Sequence, residues 1–455
     1  MKLAILGGGG FRVPLVHGAL VRDPNSPITQ LTLYDPDPVR LAAIGHVLDQ
    51  APSAGTTGKA LPRRHTGDVR EAVTDADFVF SAIRVGGLAG RVTDERVAIA
   101  NGVLGQETVG AGGIAFGLRT IPVALDLAQS IRAFAPTAWV VNFTNPAGMV
   151  TEAMAQVLGD RVIGICDSPL GLARRVARSM GERIEDCRID YAGLNHLGWL
   201  QGLHAAGGDL LPSFLADDAA IGGTEEGQIF GADWLRTLRA IPNEYLHYYY
   251  LHREALAAQH AGGHRTRGEF LHGQQQGFFD ALSADPADAR QSWESVLAER
   301  NATYMTAARG SDSARHEEDL ISGGYEGVAL ALMRALAGGA PADLILNIRA
   351  GAQVGLPPDA VVEVPCQVTE GQVKALPTTA LSLHMRGLVE AVKAVERHTI
   401  SAAVTGSTRE AVAAFALHPL IDSVTTARAL VRDYRHAIPA IGALLTNSPQ
   451  NPNQR

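Results

Sequence analysis

Short apolar runs alternate with longer amphipathic stretches through the first part of the chain, and that alternation sets the expectation for the fold. Strand-length runs fall at Lys2–Leu6, Gln30–Tyr34, Phe78–Ile83, Ala138–Phe143 and Val162–Ile165. The intervals leave room for crossover helices, and Pro122–Phe134 and Pro146–Leu158 read as two of them. This rhythm predicts a parallel sheet covered by helices on both faces. After about Asp190 the pattern changes. Short strand-like pieces at Tyr191–Leu200 precede a helix-rich stretch from Ile229 to Gly310. A glycine-rich point, Ser322-Gly323-Gly324-Tyr325, leads into a helical run at Gly327–Ala337. Strands are expected at Asp343–Ile348 and Val361–Val368, then long helices from Leu383 to Leu445. The polar, proline-containing tail Asn447–Arg455 is expected to be disordered.

Composition narrows the functional classes. With 455 residues the chain accommodates two packed domains, and 46% apolar with 19% charged residues is ordinary for a globular protein. The net charge of −8 and the lack of a long basic run argue against nucleic-acid binding. A compact anion can still be held by one or two local arginines. Cys166, Cys187 and Cys366 are odd in number and widely spaced, which suggests a reducing compartment rather than a disulfide framework. Met1–Leu6 runs straight into a glycine cluster without signal-peptide features, and no uninterrupted apolar run has bilayer-spanning length. The expectation is a cytoplasmic protein with no membrane partner.

The first chemical motif is Gly7-Gly8-Gly9-Gly10-Phe11-Arg12 between a strand and a helix-compatible stretch. A glycine turn of this kind delivers a helix N-terminus suited to a pyrophosphate. Arg12 replaces the third glycine of the usual fingerprint, so a purely structural turn is the competing reading. Asp35 ends the next strand, 28 residues after Gly7, where an acid would take the adenosine ribose hydroxyls and repel a 2′-phosphate. NAD is therefore the expected cofactor. The fold expected over residues 1–190 is α/β, a Rossmann-like doubly wound parallel sheet. An α+β substrate and oligomerisation domain is expected over 191–446.

Later strand ends carry Arg84-Val85-Gly86-Gly87, Thr144-Asn145-Pro146 and Cys166-Asp167-Ser168-Pro169. Polar residues before proline are ordinary helix caps, a reading that suits Ser168 and competes for Asn145. Cys166 and His196, 30 residues apart, suit a borderline transition metal, but a lone cysteine is more often a buried small hydrophobe and a lone histidine a hydrogen-bonded core or surface group. Tyr245, Tyr248 and Tyr249 share a helical face, as in a core stripe, but a phenol near a metal can act as a base. Arg265 and Arg267 follow, either solvated or matched to phosphate.

Together and in this order, these segments resemble glycoside hydrolase family 4, and in particular its 6-phospho-β-glucosidases. The shared segments are Leu6–Leu15, Gly105-Gln106-Glu107-Thr108, Asn142–Gly148, Gly193–Leu197 and Asn243–Tyr249, over a match from Met1 to about Leu420. The resemblance implies a lactate/malate dehydrogenase-like architecture and a phosphorylated sugar as substrate. It implies redox-assisted elimination, unlike the usual two-carboxylate chemistry: oxidation at C3 by NAD, C2 deprotonation, loss of the aglycon, water addition and re-reduction. It further implies manganese or a similar divalent ion on Cys166 and His196, and Tyr245 as the C2 base ahead of Tyr248 and Tyr249. Asn145, Glu107, Arg84 and Arg267 become substrate contacts, the arginines at the 6-phosphate. Gly7, Gly8, Gly9, Phe11, Arg12 and Asp35 would hold NAD, and a homodimer or homotetramer is implied.

One position departs from the β pattern. Asp167 stands where phospho-β-glucosidases carry asparagine, whereas phospho-α-glucosidases have an acid thought to protonate the leaving group. The Gln106–Gly113 and Asn243–Tyr249 segments look more like the β group, so the β reading is preferred and a 6-phospho-α-glucosidase is the alternative. A simple NAD-dependent dehydrogenase and a non-catalytic NAD- or sugar-phosphate-binding regulator are the other classes.

Overall fold

The computed structural model describes residues 1–51, 61–261, 265–303 and 324–446. The tail from Asn447, and Ser322 and Gly323 of the glycine-rich point, lie outside the described residues. Its spine is a 13-stranded sheet. Six strands are parallel: β1 (Lys2–Leu6), β2 (Gln30–Tyr34), β3 (Arg63–Thr66), β4 (Phe78–Ser81), β5 (Trp139–Asn142) and β6 (Val162–Gly164). Their order, β3-β2-β1-β4-β5-β6, is that of a doubly wound dinucleotide-binding sheet. β1 and β4 are almost wholly buried because helices cover both faces, which is why they read as continuous apolar runs. β3 escaped the apolar pattern because Arg63-Arg64-His65-Thr66 is polar. It occupies the sheet edge, where only one neighbour has to be satisfied.

The sheet does not stop at β6. Antiparallel strands extend it: β7 (Arg188–Leu194), β8 (Leu197–Ala205), β9 (Gly208–Asp209), β10 (Ile241–Pro242), β11 (Ala342–Arg349), β12 (Val361–Thr369) and β13 (Gln372–Ala375). β6 meets β11 through the single register pair Gly164–Asn347, and β7 meets β12 through Gly193–Glu363. Asn347 and Glu363 are fully buried at this join, and Asn347 Nδ2 donates to Glu363 Oε1 at 2.8 Å. The architecture is thus α/β and Rossmann-like at the front, with a mixed α+β portion behind.

Two helix starts differ from expectation. The helix read from Pro122 begins at Gly110 and runs to Phe134 with Pro122 inside it. Glycines weaken an isolated helix, but Gly110, Gly112 and Gly113 are buried here, so packing overrides propensity. This helix is long and apolar enough to cross a membrane by composition, but 78% of its apolar window is buried in the fold. It packs with Leu383–Thr405, Thr408–Leu417 and Val424–Ala437 in one apolar cluster. The other helix begins at Ala147, with Pro146 at the capping position, so Asn145 does not cap it.

Space at the glycine turn is decisive. A Cβ on Gly8 would lie 2.7 Å from Leu33 Cβ and 3.0 Å from the Tyr34 nitrogen, both on buried β2. Gly8→Ala is therefore expected to cost roughly 1–3 kcal/mol of overpacking, read as a lower denaturation midpoint. A midpoint equal to that of the parent chain would show that the turn relaxes freely.

Candidate active site

The loops after β1, β2, β4, β5 and β6 open into one cavity of about 1260 Å³. Its position, outside the carboxyl ends of parallel strands, is where ligands of such sheets collect. Gly7, Phe11, Arg12, Asp35, Arg84, Glu107, Asn145, Cys166, Asp167, His196, Tyr245 and Arg267 all line it. Gly8 and Gly9 lie beneath, packed against β2 and Arg40.

Gly7 has φ +90°, a left-handed conformation suited to glycine, and its N–H and that of Gly8 both donate to the Tyr34 carbonyl, at 2.9 and 2.7 Å. Gly9 N–H donates to Asp35 Oδ2 at 2.9 Å, and Gly10 N–H to the Gly7 carbonyl at 2.9 Å. The glycine amides are thus engaged inside the turn. The glycines contribute by allowing close approach. Phe11 sends its ring into the core against Phe278 and Trp293, and its carbonyl accepts from Trp293 Nε1 at 2.8 Å. The helix begins at Val13, and Arg12 at its start lies over the Tyr325 ring at 4.9 Å. This cradle suits a dinucleotide: a turn closed to side chains, a helix N-terminus, and an acid one strand away.

Cys166 ends the loop after β6, and Asp167 occupies the N-terminal boundary of helix Ser168–Ser179. Burial raises the Cys166 thiol pKa well above its ordinary value, with further contributions from the carboxylates of Glu363 and Asp167. A thiolate there calls for a compensating cation, which a bound divalent metal supplies. His196 turns the chain between β7 and β8 at φ +62° and is buried. Burial lowers its pKa to about 4, so the imidazole is neutral and ligand-competent at neutral pH. Thr108 Oγ1 lies 3.0 Å from His196 Nδ1, leaving Nε2 as the nitrogen open to a metal. Sulfur and imidazole nitrogen facing one cavity fit a borderline transition ion. No group of three or more His, Cys, Asp or Glu side chains suited to a metal occurs among the described residues.

Tyr245 does not belong to a core stripe. Glu244–Leu246 forms a 3-10 turn and His247–Tyr250 a separate short helix, which divides the tyrosines. The Tyr245 ring stacks on His196 with centroids 3.6 Å apart and planes 2° from parallel. Burial raises the Tyr248 phenol to about 12 and also raises that of Tyr249.

A basic group lines the same cavity. Arg84 and Arg91 both bind Glu107, the latter from Nη1 at 2.5 Å, while Arg91 Nε also holds Glu95 at 2.8 Å. Burial opposes ionisation of Glu107, but Arg84 and Arg91 outweigh it and hold its pKa at about 2. Arg267 donates to Thr303 Oγ1 at 2.7 Å and to the Arg300 carbonyl at 3.0 Å. Burial, reinforced by Arg12 and Arg84, lowers the Arg300 pKa to about 9. Arg300 was not marked by sequence reasoning, because a single arginine in a helix carries no local signal. Thr108 and Glu244 lay inside the motifs quoted for the resemblance and were passed over.

Ser168 also differs from its expected capping role: its hydroxyl donates to Glu244 Oε1 at 2.6 Å. Glu244 is buried, its Oε2 has no hydrogen-bond partner among the described residues, and burial raises its pKa to about 7. It stands beside Tyr245 on the cavity wall.

Fold and cavity together define a Rossmann-type protein whose dinucleotide cradle opens onto a cysteine–histidine pair and a cluster of arginines. The chain belongs to family 4 of the glycosyl hydrolases: the family's sequence model matches residues 2–182, and that of its C-terminal domain matches residues 191–421. It is 34% identical over 454 residues to a probable 6-phospho-beta-glucosidase of Bacillus subtilis (strain 168), covering 96% of each chain. It is 30% identical to a 6-phospho-alpha-glucosidase of Leptotrichia buccalis, over 95% of this chain and 96% of the relative. The 6-phospho-beta glucosidase of Thermotoga maritima, solved with manganese, NAD+ and glucose-6-phosphate, superposes with a TM-score of 0.79 at 26% identity. That likeness covers 96% of this chain and 98% of the other.

Proposed function

We propose that this chain is an NAD- and divalent-metal-dependent glycosidase that hydrolyses 6-phospho-β-glucosides. The observation that carries the reading is that one cavity joins the dinucleotide cradle, Cys166 with His196, the stacked Tyr245, and the arginine group. When bound, NAD exchanges a hydride at C3 of the sugar and the metal supplies Lewis acidity at the adjoining oxygens. The chain's residues do the rest. Cys166 and His196 hold the metal. Tyr245, aligned by its stack on His196, takes the C2 proton. Asp167 gives a proton to the departing glycosidic oxygen. Arg84, Arg267 and Arg300 receive the 6-phosphate, whose charge offsets their mutual repulsion. Asn145 contacts sugar hydroxyls, while Glu107 holds Arg84 and Arg91 in position. On this reading residues 1–190 carry the dinucleotide and 191–446 complete the sugar side.

The α reading rests on Asp167 and on the Leptotrichia relative. The experiment is turnover of matched α- and β-aryl glucosides, with and without 6-phosphate, in the presence of NAD and manganese. The 6-phospho-β compound is expected to lead, and removal of its phosphate to lower kcat/KM by about 10²-fold or more, as loss of charge-assisted contacts would. Equal turnover of the unphosphorylated sugar would refute the arginine assignment. Stoichiometric accumulation of NADH would make the chain a dehydrogenase instead.

A further inference from the structure

Where the loop after β2 meets the glycine turn, three features converge. Helix Pro38–Asp49 starts just after β2, and Arg40 lies in its first turn. A Cβ placed on Gly9 would meet Arg40 Cβ at 2.8 Å and Asp35 Oδ2 at 2.9 Å, so Arg40, Asp35 and the glycine turn touch at one point. Asp35 is held in place by backbone donors, Gly9 N–H at 2.9 Å and Asp37 N–H at 3.0 Å. The Arg40 guanidinium carbon lies 4.0 Å from the centre of the Phe279 ring. Among the described residues no hydrogen bond or ion pair engages that guanidinium, although Arg40 lines the cavity. Arginine so placed differs from the ion-paired arginines around Glu107. One π face is backed by an aromatic ring, and the side chain lines the cavity, where a second planar group could stack on it.

We propose that Arg40 is the adenine platform of the dinucleotide site. Phe279 supports one face of the guanidinium, the base of the adenosine moiety lies on the other, and Asp35 takes the ribose hydroxyls. The inference rests on the dinucleotide reading above and adds a recognition element for adenine nucleotides. Tyr34, Pro36 and Gln276 line the same cavity.

The test is calorimetric binding of NAD and of 5′-AMP to the full-length chain and to its Arg40→Ala, Arg40→Met and Arg40→Lys variants, with unfolding midpoints recorded alongside. AMP isolates the adenosine end from sugar and metal chemistry. All three variants are expected to weaken NAD and 5′-AMP by the same factor, about fivefold to twentyfold, because lysine keeps the charge but lacks a planar face. Arg40→Met retains the apolar stem and serves if alanine compromises folding. Arg40→Lys binding as the parent does, or alanine and methionine variants within about twofold of it, would overturn the platform. If the parent chain binds neither NAD nor 5′-AMP, the dinucleotide reading falls and the platform with it. If it binds both and the variants do not differ, the platform alone falls.

Discussion

Tyr245→Phe is expected to lower kcat on a 6-phospho-β-glucoside by about 10²- to 10⁴-fold, the usual contribution of a positioned general base. The parallel stack on His196 makes this substitution clean: phenylalanine keeps the ring, 3.6 Å from the imidazole, and removes only the phenolic oxygen. NAD binding should be unchanged. The sequence left three tyrosines open; Tyr245 lies in a 3-10 turn with its ring on His196, and Tyr248 and Tyr249 lie in the short helix after it. Raised phenol pKa values make Tyr248 and Tyr249 reluctant to exist as phenolates, and burial is the first cause for both. The diagnostic measurement is exchange of the sugar C2 hydrogen with solvent. It should vanish with turnover in Tyr245→Phe; persistence of exchange at the parent rate would assign the base elsewhere.

Exhaustive chelation is expected to reduce turnover by about 10³-fold or more, with manganese restoring it, since the metal's charge stabilisation amounts to several kcal/mol. Only Cys166 and His196 are offered as protein ligands, so the ion should be removable without unfolding. Cys166→Ala should show the chelated rate at every manganese concentration. Buried His196 stays neutral down to about pH 4, so the loss should not be mimicked by mild acid through this imidazole. Full activity after chelation would remove the metal from the mechanism and leave the pair structural.

Much of the front half was legible because doubly wound strands are buried on both faces and announce themselves as apolar runs. β1 and β2 fall on the residues expected, whereas β4, β5 and β6 each end one or two residues early. Polar β3 and the glycine-rich start of helix Gly110–Phe134 were not legible, since edge position and tertiary burial, rather than propensity, decide them. The site followed the same division. Motif residues at strand ends were visible as departures from ordinary capping or core chemistry. Arg300 and Arg40 were not, because their meaning comes from what faces them across the cavity. Ser168 shows the converse: a residue with every local mark of a cap spends its hydroxyl on Glu244, 76 positions away.

The join between the parallel and antiparallel strands bears on how such a chain can be taken apart or recombined. Family boundaries in sequence fall between residues 182 and 191, which invites cutting there or exchanging rear halves between relatives. In three dimensions that cut would strip β6 of its neighbour β11 and expose an unprotected strand edge beside Cys166, the kind of edge that recruits foreign strands. It would also leave buried Asn347 without Gly164, its register partner on β6. Swapped halves would therefore have to carry matching seam residues, which makes the sheet join, rather than the sequence boundary, the unit on which this scaffold can be inherited or engineered.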